Sequence, residues 1–380
     1  MKNRVLITGG AGFIGSKLSN KLILEGYSVT VLDNLSEQIH GISPTESYLY
    51  NSLDKRVEFI NGDVRRIECL RKIIKKVDVI IHLAAETGTG QSMYDIKKYV
   101  DVNIGGTANI LDILLNEQHC IKKIILASSR AVYGEGKYRC ENCGVTYPSA
   151  RNAIDMTNGV YEPKCNNCQK SITATATDED SILSPSSIYA ITKQVQENLI
   201  QVSCHSIKLP FVIFRYQNVY GPGQSLLNPY TGILSIFSNQ IRNDNCIEIY
   251  EDGKESRDFV FLDDVVEATI LGIQSDNADY QILNVGYGEP ISVLTVAKLL
   301  GKELNVNMNQ RIKISGKYRT GDIRHNYADL TKLNSVLGFI PKFNIEKGLE
   351  KFISWVVKQP IYRDEYSKSV HKLQSKNLIN

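Results

Sequence analysis

The 380-residue chain lacks any apolar run long enough to cross a bilayer, which excludes a helical membrane protein. It also lacks an excess of either charge: 44 Lys and Arg stand against 41 Asp and Glu, for a net +3. That balance supplies no basic field, so neither nucleic acid nor an anionic membrane is expected as a partner. No internal repeat is visible, and no leader segment precedes the first apolar run, which starts within a few residues of Met1. A cytoplasmic location is therefore expected. Of the eight cysteines, Cys69, Cys120, Cys204 and Cys246 follow no spacing and read as buried or incidental thiols.

A chain of this length can bury a large core, as one large or two modest domains. Apolar runs alternate with helical patterns up to about residue 125, which argues an α/β fold built on a doubly wound parallel sheet. The run from Phe211 to Phe214 continues that sheet. Beyond about residue 223 short helices and strands mix. The last residues, from about Asp364, are polar and aperiodic, and read as a loosely held tail or a short helix.

The first strand, Arg4 to Thr8, runs into Gly9-Gly-Ala-Gly12-Phe-Ile-Gly15 and then at once into a helical pattern. Strand, glycine turn and helix N-terminus form a phosphate cradle. Gly9 allows the tight turn, Gly12 lets backbone approach a pyrophosphate, and Gly15 lets helix pack on strand. Phe13 and Ile14 lie within the same cradle. A second strand ends at Asp33-Asn34, about 20 residues on, where an acid accepts hydrogen bonds from a ribose and repels a 2′-phosphate. The expected cofactor is thus NAD rather than NADP. Asp63 and Val64 are placed near the adenine, and Leu83, Ala84 and Ala85 follow the next strand.

Tyr189 and Lys193 stand four residues apart on a predicted helix, and so on one face. A free tyrosine is a poor base at neutral pH, but a neighbouring ammonium favours its phenolate. Such a pair takes a proton from a substrate hydroxyl when a hydride acceptor lies nearby. Ser129 closes another strand, with a hydroxyl that both donates and accepts.

These residues resemble the NAD-dependent epimerase/dehydratase family of extended short-chain dehydrogenases. The landmarks are Thr8 to Gly15, His82-Leu-Ala-Ala85, Asn103-Ile-Gly-Gly-Thr107, Ser128-Ser129, Val132-Tyr-Gly134, Tyr189 to Lys193, Arg215 to Pro222, Arg257-Asp-Phe-Val260, Asn284-Val-Gly286 and Arg319-Thr-Gly-Asp322. The resemblance implies a Rossmann-type domain over 1–222 and a smaller C-terminal α/β substrate domain over 223–360. It also implies a return segment near 258–285 and leaves a polar tail over 361–380. It makes Ser129, Tyr189 and Lys193 catalytic and adds Asn103 to the cofactor site. It assigns a nucleotide-diphosphate sugar to Asn218, Arg257, Arg319 and Asp322. It implies a homodimer paired through helices over 93–115 and 186–203. Gln91 and Ser92 are candidates for contact with hexose hydroxyls. Sugar 4,6-dehydratases of the family carry Asp-Glu where this chain has Arg130-Ala131, and neither residue here can supply that acid–base chemistry. The expectation is a 4-epimerase; a dehydratase, a 4-keto reductase and an idle NAD-binding scaffold remain as alternatives.

Between Ser129 and Tyr189 lies an insert, 134–184, with Cys140-Glu-Asn-Cys143 and Cys165-Asn-Asn-Cys168. Two such knuckles at this separation suit a four-thiolate structural zinc site of zinc-ribbon type. With this insert, and with Gln224 to Gly232 and Tyr318 to His325, the resemblance narrows to bacterial dTDP-L-rhamnose 4-epimerases. A UDP-hexose 4-epimerase is the alternative.

Overall fold

The computed structural model of the chain describes residues 3–230, 232–364 and 366–379; Thr231, within one of the sequence landmarks, lies outside them. Seven strands form one sheet: β1 (Arg4–Thr8), β2 (Ser28–Asp33), β3 (Glu58–Asn61), β4 (Val79–His82), β5 (Lys123–Ser129), β6 (Phe211–Tyr216) and β7 (Gln281–Val285). Their order is β7-β6-β5-β4-β1-β2-β3, with every neighbouring pair parallel. The strands are apolar because helices cover both faces. Alternate residues supply the two cores: Val5 and Ile7 pack on one side of the sheet, Leu6 on the other.

The covering helices used below are α1 (Phe13–Leu24), α2 (Gly106–Asn116), α3 (Ile188–Ser206) and α4 (Leu262–Gln274). Strand order reverses between β1 and β4, and open α/β sheets bind ligands at the carboxyl ends of the strands at such a point. After β6 the chain builds a second core around Tyr220, Phe259, Phe261, Leu300 and Phe352. Between Phe261 and Leu300 it sends α4 and β7 back to the main sheet, where β7 pairs with β6.

Of the two forms expected for the C-terminal segment, the short helix is the one found. A helix α5 (Tyr366–Gln374) buries Val370 and Leu373, and with Ile379 they pack on Tyr94 and Tyr250. Its apolar residues are spaced by three and four, but polar neighbours dilute the pattern in the sequence. Among the described residues no helix is long and apolar enough to cross a membrane.

Candidate active site

The carboxyl ends of β1, β2, β4, β5 and β6 open into a cavity of about 560 Å³. At one end lies the glycine turn. Gly9 has φ +70°, and a Cβ there would stand 2.7 Å from the Ala84 nitrogen. A Cβ on Gly15 would stand 2.5 Å from the Gly9 carbonyl oxygen. Both positions therefore demand glycine. Gly12 caps α1 with no side chain to satisfy the helix amides. Those amides and the helix dipole are left for an anionic ligand. Gly9, Gly12, Phe13, Ile14 and Gly15 all line the cavity.

Asp33 ends β2 on the same wall. Its carboxylate accepts from the Ala11 and Leu35 amides at 3.0 and 2.9 Å. Burial raises its pKa, with the two amides and His40, 3.9 Å away, opposing. His40 lines the cavity too, although nothing in the sequence marked it. Asn34 and Asp63 face the cavity as a bonded pair at 3.1 Å. Arg65 grips Asp63 with two bonds and holds its carboxyl near about 2. Val64, Leu83, Ala84 and Ala85 complete this end. The donor set fits a dinucleotide: free helix amides for the pyrophosphate and a carboxylate for the ribose.

At the centre, Ser129 ends β5 and Tyr189 and Lys193 face it from α3. The helix starts there because Ser187 accepts from the Ala190 amide at 3.2 Å. Lys193 donates to the Ala127 carbonyl at 2.8 Å, and its nitrogen is 5.9 Å from the Tyr189 ring centre. Burial pulls the Lys193 pKa down to about 7, with Glu197 opposing. Burial raises the Tyr189 pKa, while the Ser129 hydrogen bond and the Arg130 charge favour the phenolate. Arg130, which the sequence marks only as an absent acid, thus shares the task expected of Lys193. Here Arg130 lines the cavity and donates from Nε to Asn218 at 3.2 Å.

The far end holds Asn218, Arg257, Arg319 and Asp322. Both Nη atoms of Arg257 are engaged, by three backbone carbonyls and by Asp322 at 2.8 Å. Arg257 thus clamps the 322–324 loop. Burial opposes ionisation of Asp322, but Arg257, Arg319, Arg151 and Arg130 outweigh it and hold its pKa below the ordinary value. Arg319 lies over the Tyr250 ring and donates to the Tyr366 hydroxyl at 2.8 Å.

Three expected contacts lie behind the wall. Gln91 is buried and exchanges two hydrogen bonds with Gln38, and Ser92 is buried against the Thr89 carbonyl. The cavity face of that loop is Glu86 to Thr89 instead. Asn103 is fully buried, and its amide joins the Glu86 backbone to Thr192 on α3. It anchors α3 and is not among the residues that line the cavity.

In the insert, strands Tyr138–Cys140 and Gly144–Thr146 form an antiparallel hairpin. The residue after each knuckle takes positive φ, Gly144 at 76° and Gln169 at 58°. The Sγ atoms of Cys140, Cys143, Cys165 and Cys168 all lie within 4.8 Å of one another. A zinc tetrahedron with bonds of about 2.3 Å has edges of about 3.8 Å, so the set fits that ion. Amides of Cys168 and Asn167 pull the Cys165 thiol down, while the neighbouring thiols push Cys143 up, as expected of four sulfurs crowded together. The insert docks through Arg151, which meets Glu135, Glu251 and the Asp322 carbonyl at 3.2, 2.8 and 2.9 Å.

Residues 5–154 and 156–286 match the model of the NAD dependent epimerase/dehydratase family. The chain is 33% identical to a dTDP-L-rhamnose 4-epimerase of Burkholderia thailandensis, over 94% of this chain and 95% of that protein. It superposes with TM-score 0.76 and 28% identity on the crystal structure of a Thermotoga maritima UDP-glucose 4-epimerase with UDP-glucose, covering 93% of this chain and 99% of that one. A Bacillus cereus UDP-glucuronic acid 4-epimerase, in complex with UDP-glucuronic acid and NAD, also gives 0.76, at 26% identity and the same coverage.

Proposed function

The chain belongs to the NAD-dependent epimerase/dehydratase family, and on that premise we propose that it is a nucleotide-sugar 4-epimerase. Its proposed substrate pair is dTDP-L-rhamnose and dTDP-6-deoxy-L-talose. The observation that carries this reading is one cavity lined by the glycine cradle, by Ser129, Tyr189 and Lys193, and by Arg319 and Asp322. Arg130-Ala131 beside Ser129 leaves no acid–base pair for eliminating water. The relative from B. thailandensis supports the choice of sugar.

Gly12 and the α1 amides would hold the pyrophosphate of NAD, and Asp33 its adenosine ribose. NAD supplies a hydride acceptor that becomes the donor in the return step, so it is not consumed. Tyr189 as phenolate takes the proton of the sugar 4-hydroxyl while Ser129 holds that oxygen. As this proton leaves, the C4 hydride passes to that acceptor and then returns to the opposite face of the 4-keto sugar, with Tyr189 giving the proton back to O4. Lys193, tied to the Ala127 carbonyl, stands beside the Tyr189 ring, where its charged form would favour the phenolate. Arg319 binds the diphosphate, and Asp322 the nucleoside ribose.

The four cysteines are proposed to hold a structural zinc. The chain is proposed to form a homodimer through α3 and the helical run 96–116, whose Ile96, Val100, Ile191 and Val202 are exposed.

The test is incubation with dTDP-, UDP- and GDP-sugars, followed by product identification. The expected result is interconversion of two C4 epimers of unchanged mass, with no net use of NAD. Loss of water, or stoichiometric consumption of NADH, would replace this reading with a dehydratase or a reductase.

A further inference from the structure

The end of the chain plays no part in the reading above. We propose that Tyr366, carried into the cavity by α5, is a substrate-binding residue that acts with Arg319 on the diphosphate of the nucleotide-sugar. The inference rests on the proposed function for the identity of its ligand.

The segment is built into the site. Ile379 pairs with Arg319 in an antiparallel bridge, and the Leu378 carbonyl accepts from the Thr320 amide at 3.0 Å. Val370, Leu373 and Ile379 share a small core with Tyr94 and Tyr250. Lys372 adds its ammonium over the Tyr94 ring at 4.7 Å. The loop that carries Arg319 is therefore held by the chain end itself. Tyr366, the first residue of α5, lines the same cavity as Arg257, Arg319 and Asp322.

The polarity of the Arg319–Tyr366 bond identifies the ligand. Arg319 Nη2 lies 2.8 Å from the Tyr366 hydroxyl. A guanidinium has no acceptor, so the arginine donates and the tyrosine oxygen accepts. The hydroxyl hydrogen then points away from Arg319, toward the neighbouring Tyr250 hydroxyl or a bound acceptor. Arg319 Nε is buried with no hydrogen-bond partner among the described residues. A buried charged donor without a partner is costly, and a bound acceptor removes that cost. Two donors, one of them cationic, thus serve one cavity. A group rich in acceptor oxygens and negative charge satisfies both, and a diphosphate is such a group. A sugar hydroxyl answers the hydrogen bonds but not the charge.

The experiment titrates the full-length protein, with its own cofactor, with dTDP, UDP and GDP by calorimetry. Tyr366→Phe and a chain ending at Pro360 are run alongside. For whichever nucleoside diphosphate the unaltered protein binds, Tyr366→Phe is expected to weaken binding by about tenfold, as loss of one hydrogen bond to a charged group implies. KM for the sugar nucleotide should rise by the same factor with kcat nearly unchanged, because the hydroxyl bonds Arg319 and not the Ser129–Tyr189 pair. The shortened chain should lose more affinity, since the Arg319 loop also loses the Leu378 carbonyl. If the shortened chain does not fold, Tyr366→Phe still decides, because it removes one oxygen and no packing. Unchanged affinity in Tyr366→Phe overturns the proposal. Tighter binding by either variant also overturns it, and means that the chain end blocks the site. So does a failure of the unaltered protein to bind any of the three nucleotides. If the protein binds a nucleoside diphosphate through Tyr366 but epimerises nothing, the proposed reaction falls and this inference stands. If it epimerises while Tyr366→Phe is silent, the reverse holds.

Discussion

Lys193 donates to the Ala127 carbonyl at 2.8 Å, which ties the end of β5 to α3 and sets Tyr189 against Ser129. Tyr189 and Ser129 both line the cavity, and the Ser129 hydroxyl favours the Tyr189 phenolate. Tyr189→Phe should lower kcat by roughly 10² to 10⁴, the usual contribution of a positioned acid–base group. NAD content and melting temperature should stay close to those of the unaltered protein. Turnover at the full rate in this variant would remove Tyr189 from the mechanism.

Arg130 should set the working pH. The charged groups around Tyr189 are Lys193 on its own helix and Arg130 beside Ser129; Tyr99 stacks edge-on at 6.5 Å. Around Arg130 lie Arg257, Asp322 and Glu135 as well. Burial and the Arg257 charge depress the Arg130 pKa to about 10, so it is cationic at neutral pH. A cation favours the phenolate, so its removal raises the tyrosine pKa. Arg130→Gln should therefore move the acidic limb of the kcat/KM profile up by about one pH unit. Arg130→Lys should restore most of the original profile. A profile that does not move would leave Arg130 as a partner of Asn218 alone.

The parts of this site that were legible in the sequence are local. Gly9 and Gly15 are demanded by contacts within one turn and its neighbouring strand, and Gly12 lies at the fixed spacing between them. Tyr189 and Lys193 are brought together by helical spacing alone. What was not legible depends on side-chain direction across the fold. Gln91 and Ser92 sit in the expected loop but face away from the cavity, because Gln38, 53 positions earlier, pairs with the Gln91 amide. Asn103 sits on the expected landmark but is taken up by Thr192, 89 positions on. Tyr366 has no neighbouring motif, and the packing of Val370 and Leu373 with the Ile379 bridge brings it to Arg319.

His82 should make stability acid-sensitive. It is fully enclosed between Thr8 Oγ1 at 2.7 Å and Thr107 Oγ1 at 3.0 Å. Thr107 gives its own hydrogen to the Asn103 carbonyl, so it accepts from His82 Nε2, and the neutral Nε2–H tautomer fits. Burial, with help from the Lys193 charge, pulls the His82 pKa to about 3. An unfolded chain binds this proton near pH 6.5, so the native state loses stability as pH falls from there toward 3. The loss should reach roughly 2 kcal/mol between pH 7 and 5. Thermal unfolding at the two pH values checks it. His82→Asn should be less stable at pH 7 but should show a smaller drop on acidification.

The insert should depend on metal, and its loss should be felt in the substrate site. Its own buried core is Tyr138, Cys140, Cys165 and Ile172, too few side chains to hold fifty residues by apolar burial. A four-thiolate ion supplies the missing cross-link. Arg151 passes the consequence on, because it joins the insert to Glu251 and to the Asp322 carbonyl. Cys140→Ser should purify without zinc by mass spectrometry and melt at a lower temperature than the unaltered protein. With the Asp322 loop released, KM should rise by about tenfold, equivalent to about 1.4 kcal/mol, and kcat should change less. Arg151→Met should reproduce the KM effect while keeping the metal, which separates the contact from the fold of the insert. Normal substrate affinity in a folded, zinc-free Cys140→Ser protein would confine the insert to a role in stability, with Arg257 and the Thr320–Leu378 contact sufficing to hold the Asp322 loop.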